Sequence, residues 1–161
     1  MENEIKKQQQ ISLTFGISNI SIEENSFFPK NIIENPKEPT QYHYLTSVSV
    51  RVNDVEKSIE VATEINLSLN EAKDNKLGKL KVLTDFKIVN FDDIPQVNKT
   101  YNLPGEFVAT LIGISISNVR GILFVTSKSA LANPAILPIL NPNDYVKKMF
   151  ENSKQDNTVK Q

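Results

Sequence analysis

Apolar and polar positions alternate at the start of the chain: Ile11, Leu13, Phe15 and Ile17 against Ser12, Thr14, Gly16 and Ser18. This is the two-residue period of a strand with one buried face. Ile20 and Ile22 continue the alternation one residue out of phase. The slip predicts a β-bulge near Ser18 and Asn19, which lets both halves of the strand face apolar surroundings. A second run sets Tyr42, Tyr44, Thr46, Val48, Val50 and Val52 against His43, Ser47, Ser49 and Arg51. In a third, Ile59, Val61, Thr63, Ile65, Leu67 and Leu69 alternate with Ser58, Glu60, Ala62, Glu64, Asn66 and Ser68, and in a fourth Leu80, Val82, Thr84, Phe86 and Ile88 alternate with Lys81, Leu83, Asp85, Lys87 and Val89. Pro29, Pro36 and Pro39 cannot donate to a ladder, so residues 29–40 form a long connection between the first two strands. Val-Asn-Asp-Val offers an Asn-Asp hairpin turn between the second and third, and EAKDNKLG a turn before Leu80. The pattern is that of a four-stranded antiparallel sheet with one apolar face.

After the loop NFDDIPQVNKTYNLP the period changes. If residues 105–128 are helical, Phe107, Val108, Leu111, Ile112, Ile114, Ile116, Val119, Ile122, Leu123 and Val125 cover roughly half the circumference, leaving Thr110, Gly113, Ser117, Arg120 and Lys128 on the rest. β-branched residues and interior glycines weaken helix propensity here, so a strand reading stays open, while the pattern favours the helix. An apolar arc wider than one sheet can cover implies a second buried contact, most simply another subunit through Leu111, Ile112, Ile116, Val119 and Leu123. Pro134, Pro138 and Pro142 interrupt the following ALANPAILPILNP. A short final helix is predicted with Asn141 as N-cap, Pro142 first, Asp144 in the first turn and Tyr145, Val146, Met149 and Phe150 along it. The fold class is α+β, strands first and helices last.

The length of 161 residues suits one domain, expected over 11–150 with mobile polar tails at 1–10 and 151–161. A formal net charge of -1 gives no single-sign field, so a nucleic-acid surface is not favoured. Without cysteine and with His43 the only histidine, thiolate nucleophiles, Cys-ligated zinc and a multi-histidine metal site within one chain are excluded. No cofactor is implied. MENEIKKQQQ has neither the apolar core nor the cleavage site of a secretory signal, and Gly113, Ser115, Ser117, Asn118 and Arg120 interrupt the longest apolar stretch, so a cytoplasmic protein without membrane insertion is expected.

The order of elements, and several stretches, resemble the export chaperone family SecB and its stand-alone SecB-like members. Phe15, Ile17 and Ile20, then Ser26 and Phe27 ahead of a proline loop, resemble its first strand. Arg120 in an apolar helix, followed by a small-residue connector and the run through Pro138, Asn141 and Asp144, resembles its long helix, connector and last helix. The resemblance spans about residues 11–150 and rests on short apolar patterns, which are less specific than a catalytic signature. It implies a homotetramer, a dimer of dimers with sheets outside and long helices in the middle. It also implies ATP-independent binding of unfolded or export-competent chains in apolar grooves, for which Phe27, Phe28, Phe86, Phe91, Ile94, Tyr101, Leu103 and Phe107 are the candidates. In export-dedicated members, acids on the sheet face receive the zinc-bearing tail of the motor SecA. Here Glu24 matches one such acid, whereas Phe28 and Val82 align where two others would stand. A solitary chaperone of another client, such as the antitoxin of a toxin–antitoxin–chaperone system, fits as well as general export.

No enzyme constellation accompanies these patterns. His43 lies on a polar strand face near Arg51 without a serine and acid that spacing could tie to it. Glu60 and Glu64 are about 13 Å apart along one strand, too far to share a proton, and read as solvated charge. Gly105, Gly113 and Gly121 match no phosphate loop. The reading of a different class is a non-catalytic adaptor or structural assembly protein whose apolar helix serves assembly alone.

Overall fold

The computed structural model describes residues 12–28, 42–69, 76–131 and 133–156. The expected tail at 1–10, the connection at 29–40 and part of the turn before Leu80 lie outside them. Strands β1 (Phe15–Phe27), β2 (His43–Asn53), β3 (Ser58–Ser68) and β4 (Lys76–Ile88) form one antiparallel sheet in the order β1-β4-β3-β2. Three consecutive strands lie side by side and the first lies beside the last, the Greek-key order.

Alternation and register agree. On the inner face Ile59, Val61, Thr63, Ile65 and Leu67 of β3, and Leu80, Val82, Thr84, Phe86 and Ile88 of β4, are buried. The predicted bulge occurs between Ile17 and Asn19, and a second falls between Ile22 and Glu24. Together they set Ile17 opposite Phe86, Ile20 opposite Thr84 and Ile22 opposite Val82, so all three isoleucines share the inner face. The β2–β3 turn occupies residues 54–57 rather than Asn53 and Asp54: Asn53 still pairs with Ser58, Asn53 Oδ1 accepts from the Glu56 N–H at 3.1 Å, and Lys57 takes the left-handed conformation that closes the turn. β4 begins earlier than expected, because Lys76, Leu77 and Gly78 belong to the strand and Leu77 is buried. Gly78 allows β1 to approach there, since a Cβ would stand 2.4 Å from Phe27 Cδ1 and 2.6 Å from the Ser26 carbonyl oxygen.

The loop before the helix is more ordered than its sequence implies. It holds a 3-10 turn (Phe91–Asp93) and a small hairpin of β5 (Gln96–Val97) and β6 (Thr100–Tyr101). Asn98 and Lys99, both at positive φ, make the two-residue turn. Helix α1 (Gly105–Lys128) has the predicted ends. By length and composition alone it could cross a bilayer, yet Leu111, Ile112, Ile116, Val119 and Leu123 are buried in the same core as β3 and β4. Helix α2 (Pro142–Asp156) starts as predicted: Asn141 Oδ1 accepts from the Asn143 N–H at 3.1 Å, and Asn141 Nδ2 donates to Asp144 Oδ1 at 3.3 Å. It runs six residues past the expected boundary at 150.

Candidate functional site

The eight predicted client-contact residues do not form one surface. Phe86, Phe91 and Ile94 are buried, with relative exposures of 0%, 2% and 4%, and cannot touch a client without unfolding. Phe86 meets Phe15 edge-on at 5.8 Å between centroids, Phe15 in turn meets Phe107 at 5.5 Å, and Phe91 meets Tyr101 at 5.1 Å. Tyr101, Leu103 and Phe107 are half-buried against this cluster. The Tyr101 hydroxyl donates to Asp54 Oδ1, which raises its pKa, and Lys57 Nζ lies 5.1 Å above the Phe91 ring and 2.7 Å from Asp92. Phe27 and Phe28 stand at the other end of β1, roughly 35 Å away; Phe28 is 52% exposed and Phe27 half-buried. Apolar or aromatic type and a place at strand ends or in the crossover made these residues candidates, but such side chains are also what fills a small core.

The predicted oligomer contacts are likewise interior. Leu111, Ile112, Ile116, Val119 and Leu123 are all 2% exposed or less. The wide apolar arc has an intramolecular explanation: besides the sheet, α1 is flanked by the connector and α2. A Cβ on Gly105 would touch Val146 and Phe150, one on Gly113 would touch Pro142 at 3.3 Å, and Arg120 bonds the connector. What α1 leaves outward is Phe124, Val125 and, in part, Ile114 and Ile122. Beyond Phe15, the inner face of β1 is also open, with Ile17, Ile20 and Ile22 between 41% and 50% exposed.

A site missed in the sequence lies on the connector itself. Residues 133–141 run without helix or ladder, and Ala135 and Leu137 turn inward while Ile136 is 62% and Ile139 91% exposed. Polar tethers hold the segment. The Tyr42 hydroxyl donates to the Asn133 carbonyl at 2.5 Å, the Ala135 N–H donates to Ser127 Oγ at 2.8 Å, and Arg120 donates from Nε to the Leu137 carbonyl and from Nη2 to the Pro138 carbonyl, each at 3.0 Å. Burial pushes the Tyr44 hydroxyl above the ordinary tyrosine value, partly offset by a bond to the Ile136 backbone. The signal was present as isoleucines between prolines, which can neither continue a helix nor pair as a central strand.

The outer face of the sheet is polar and internally neutralised. Lys79 Nζ on β4 reaches Glu24 on β1 at 2.9 Å and Glu64 on β3 at 3.3 Å, and Arg51 pairs with Glu60 at 2.9 Å. Glu60 and Glu64 are thus cross-strand partners, not merely solvated charge. Val82 is fully buried on the opposite face, so no docking acid could stand at that position and its alignment with one does not hold. Among the described residues no group of His, Asp and Glu is placed to hold a metal.

Comparison with known proteins gives a likeness of fold. No family model matches the chain, and no curated protein matches it. Among solved structures it is similar to a SecB-like chaperone of Mycobacterium tuberculosis in complex with a peptide from an antitoxin. That match has a TM-score of 0.55 at 16% identity and covers 78% of this chain and 90% of that one. A protein of unknown function from Streptococcus agalactiae aligns at 11% identity over 80% of this chain and 100% of that one, with a TM-score of 0.43. The chain therefore has a SecB-like α+β fold: a four-stranded antiparallel sheet, a long helix and a C-terminal helix.

Proposed function

We propose that this SecB-like chain is a cytoplasmic, ATP-independent holdase that binds unfolded polypeptide segments on its connector and catalyses no reaction. The observation that carries this reading is the ledge formed by Ile136 and Ile139, two large apolar side chains left 62% and 91% exposed on a segment otherwise tethered to the core. A side chain held outward at an ordered position is ready to bury apolar area on a partner. The likeness to a chaperone whose structure contains an antitoxin peptide supports the same reading. It favours a dedicated client of that kind at least as much as general export.

The test is the delay of aggregation of several unfolded substrates diluted from denaturant, followed by light scattering without ATP. Wild-type protein at client stoichiometry suppresses scattering, and moderate salt leaves the effect intact because apolar burial is not screened. Replacing Ile136 and Ile139 together by serine weakens client binding by at least about tenfold, since each side chain buries apolar area worth ~1.5–3 kcal/mol, while near-UV dichroism stays unchanged. If the wild-type protein delays no substrate, the holdase reading gives way to the assembly adaptor, for which the open strip Ile17, Ile20 and Ile22 would be the contact surface.

A further inference from the structure

Arg120 is a partly buried cation on α1, and none of the ion pairs among the described residues includes it. Burying charge without a counter-ion is unfavourable, so packing alone does not account for an arginine here. What a guanidinium adds is a planar fork that presents parallel donors. That fork meets two successive main-chain carbonyls, of Leu137 and Pro138, both at 3.0 Å. Leu137 is buried in a segment without a ladder, so its carbonyl needs a donor from another element. The clamped pair is flanked directly by Ile136 on one side and Ile139 on the other. The other tethers, at Asn133, at Ala135 and from the Tyr44 hydroxyl to the Ile136 backbone, precede it, and the next fixed point is the Asn141 cap of α2.

We infer that Arg120 is a positioning residue of the client ledge, fixing Leu137 and Pro138 between the two outward isoleucines. The inference rests on the holdase reading and adds to it a residue that need not touch the client. A clamped ledge loses little conformational freedom when a client docks, whereas a loose one must be ordered at that moment.

Arg120→Leu keeps the bulk and removes the fork; Arg120→Lys keeps the charge but can satisfy the two carbonyls only poorly. Two readouts separate positioning from general stability. One is native-state proteolysis of the free protein, compared between residues 136–140 and strands β3 and β4. The other is the affinity for a reduced, alkylated protein that cannot refold, measured well below the melting temperature of every variant. In Arg120→Leu, cleavage within 136–140 accelerates about tenfold with β3 and β4 unchanged, and client affinity falls about tenfold; Arg120→Lys is intermediate in both. Wild-type cleavage and affinity in Arg120→Leu would overturn the inference, as would acceleration spread evenly over connector and sheet. A wild-type protein that binds no client overturns the holdase reading and this inference together, whereas a binding wild type with an unaltered Arg120→Leu overturns this inference alone.

Discussion

Glu64 shows how a charge on a strand acquires a role from its neighbours. Asn66 Nδ2 donates to its carboxylate at 3.0 Å, and Lys79 Nζ stands 3.3 Å away. The Asn66 bond first, and Lys79 after it, hold the carboxyl below the ordinary glutamate value against the opposing effect of partial burial. A carboxylate whose folded pKa is depressed contributes stability above its unfolded pKa, about 4.3, and loses it as pH falls through the lower folded value. Glu64→Gln is therefore less stable than wild type at neutral pH, by at most about 1 kcal/mol because the group is solvent-screened. Urea unfolding across the acid range should show that gap closing below the ordinary glutamate pKa. A gap that persists at the acid end would place its origin in packing or in the Asn66 geometry rather than in the charge.

Elements were legible where periodicity alone decides them. The β3 alternation, the β1 bulge and both ends of α1 follow from the spacing of apolar positions, because burial on one face leaves a period that needs no knowledge of the neighbour. Contacts between elements were not legible. Glu24, Lys79 and Glu64 meet only through the β1-β4-β3 register, and a helix face marked as buried does not say whether a sheet, a connector or another subunit buries it. The same register bears on SecA. A basic tail docking on the outer sheet face would find Glu24 and Glu64 already engaged by Lys79 and Glu60 by Arg51. It would have to displace those cations to gain a charge-assisted bond. Titrating the zinc-loaded SecA tail peptide at low salt should therefore give weak or no binding, even where unfolded clients bind. Tight, salt-sensitive binding abolished by Glu24→Lys would restore a dedicated export role.

For the whole molecule, the question left by the fold is what covers its remaining apolar surface. Among the described residues, the open apolar surface outside the connector ledge includes two patches: Ile17, Ile20 and Ile22 on the free side of β1, and Val125 with the half-buried Ile114 on the face of α1 that also carries Phe107. Phe107 meets Phe15 at the start of β1, so the two patches begin from one contact. Among the described residues β1 is an edge strand of 13 residues with no strand on its outer side, a feature that invites pairing unless covered. We propose that the homo-oligomer implied by the SecB resemblance, a tetramer built from dimers, is held through these patches and not through Leu111, Ile112, Ile116, Val119 and Leu123. Light scattering of wild-type protein should give a multiple of the 18.1 kDa chain mass. Substitution then separates assembly from folding. Ile20→Asp and Val125→Asp place a charge where the single chain leaves it solvated, so they should lower the oligomeric mass while the melting transition stays cooperative. Ile112→Asp places it in the core and should abolish folding at any concentration, since an unpaired buried carboxylate costs several kcal/mol. If Ile20→Asp and Val125→Asp leave the mass unchanged, or the wild type is a monomer at every concentration, the open strip is free for a partner other than a second copy.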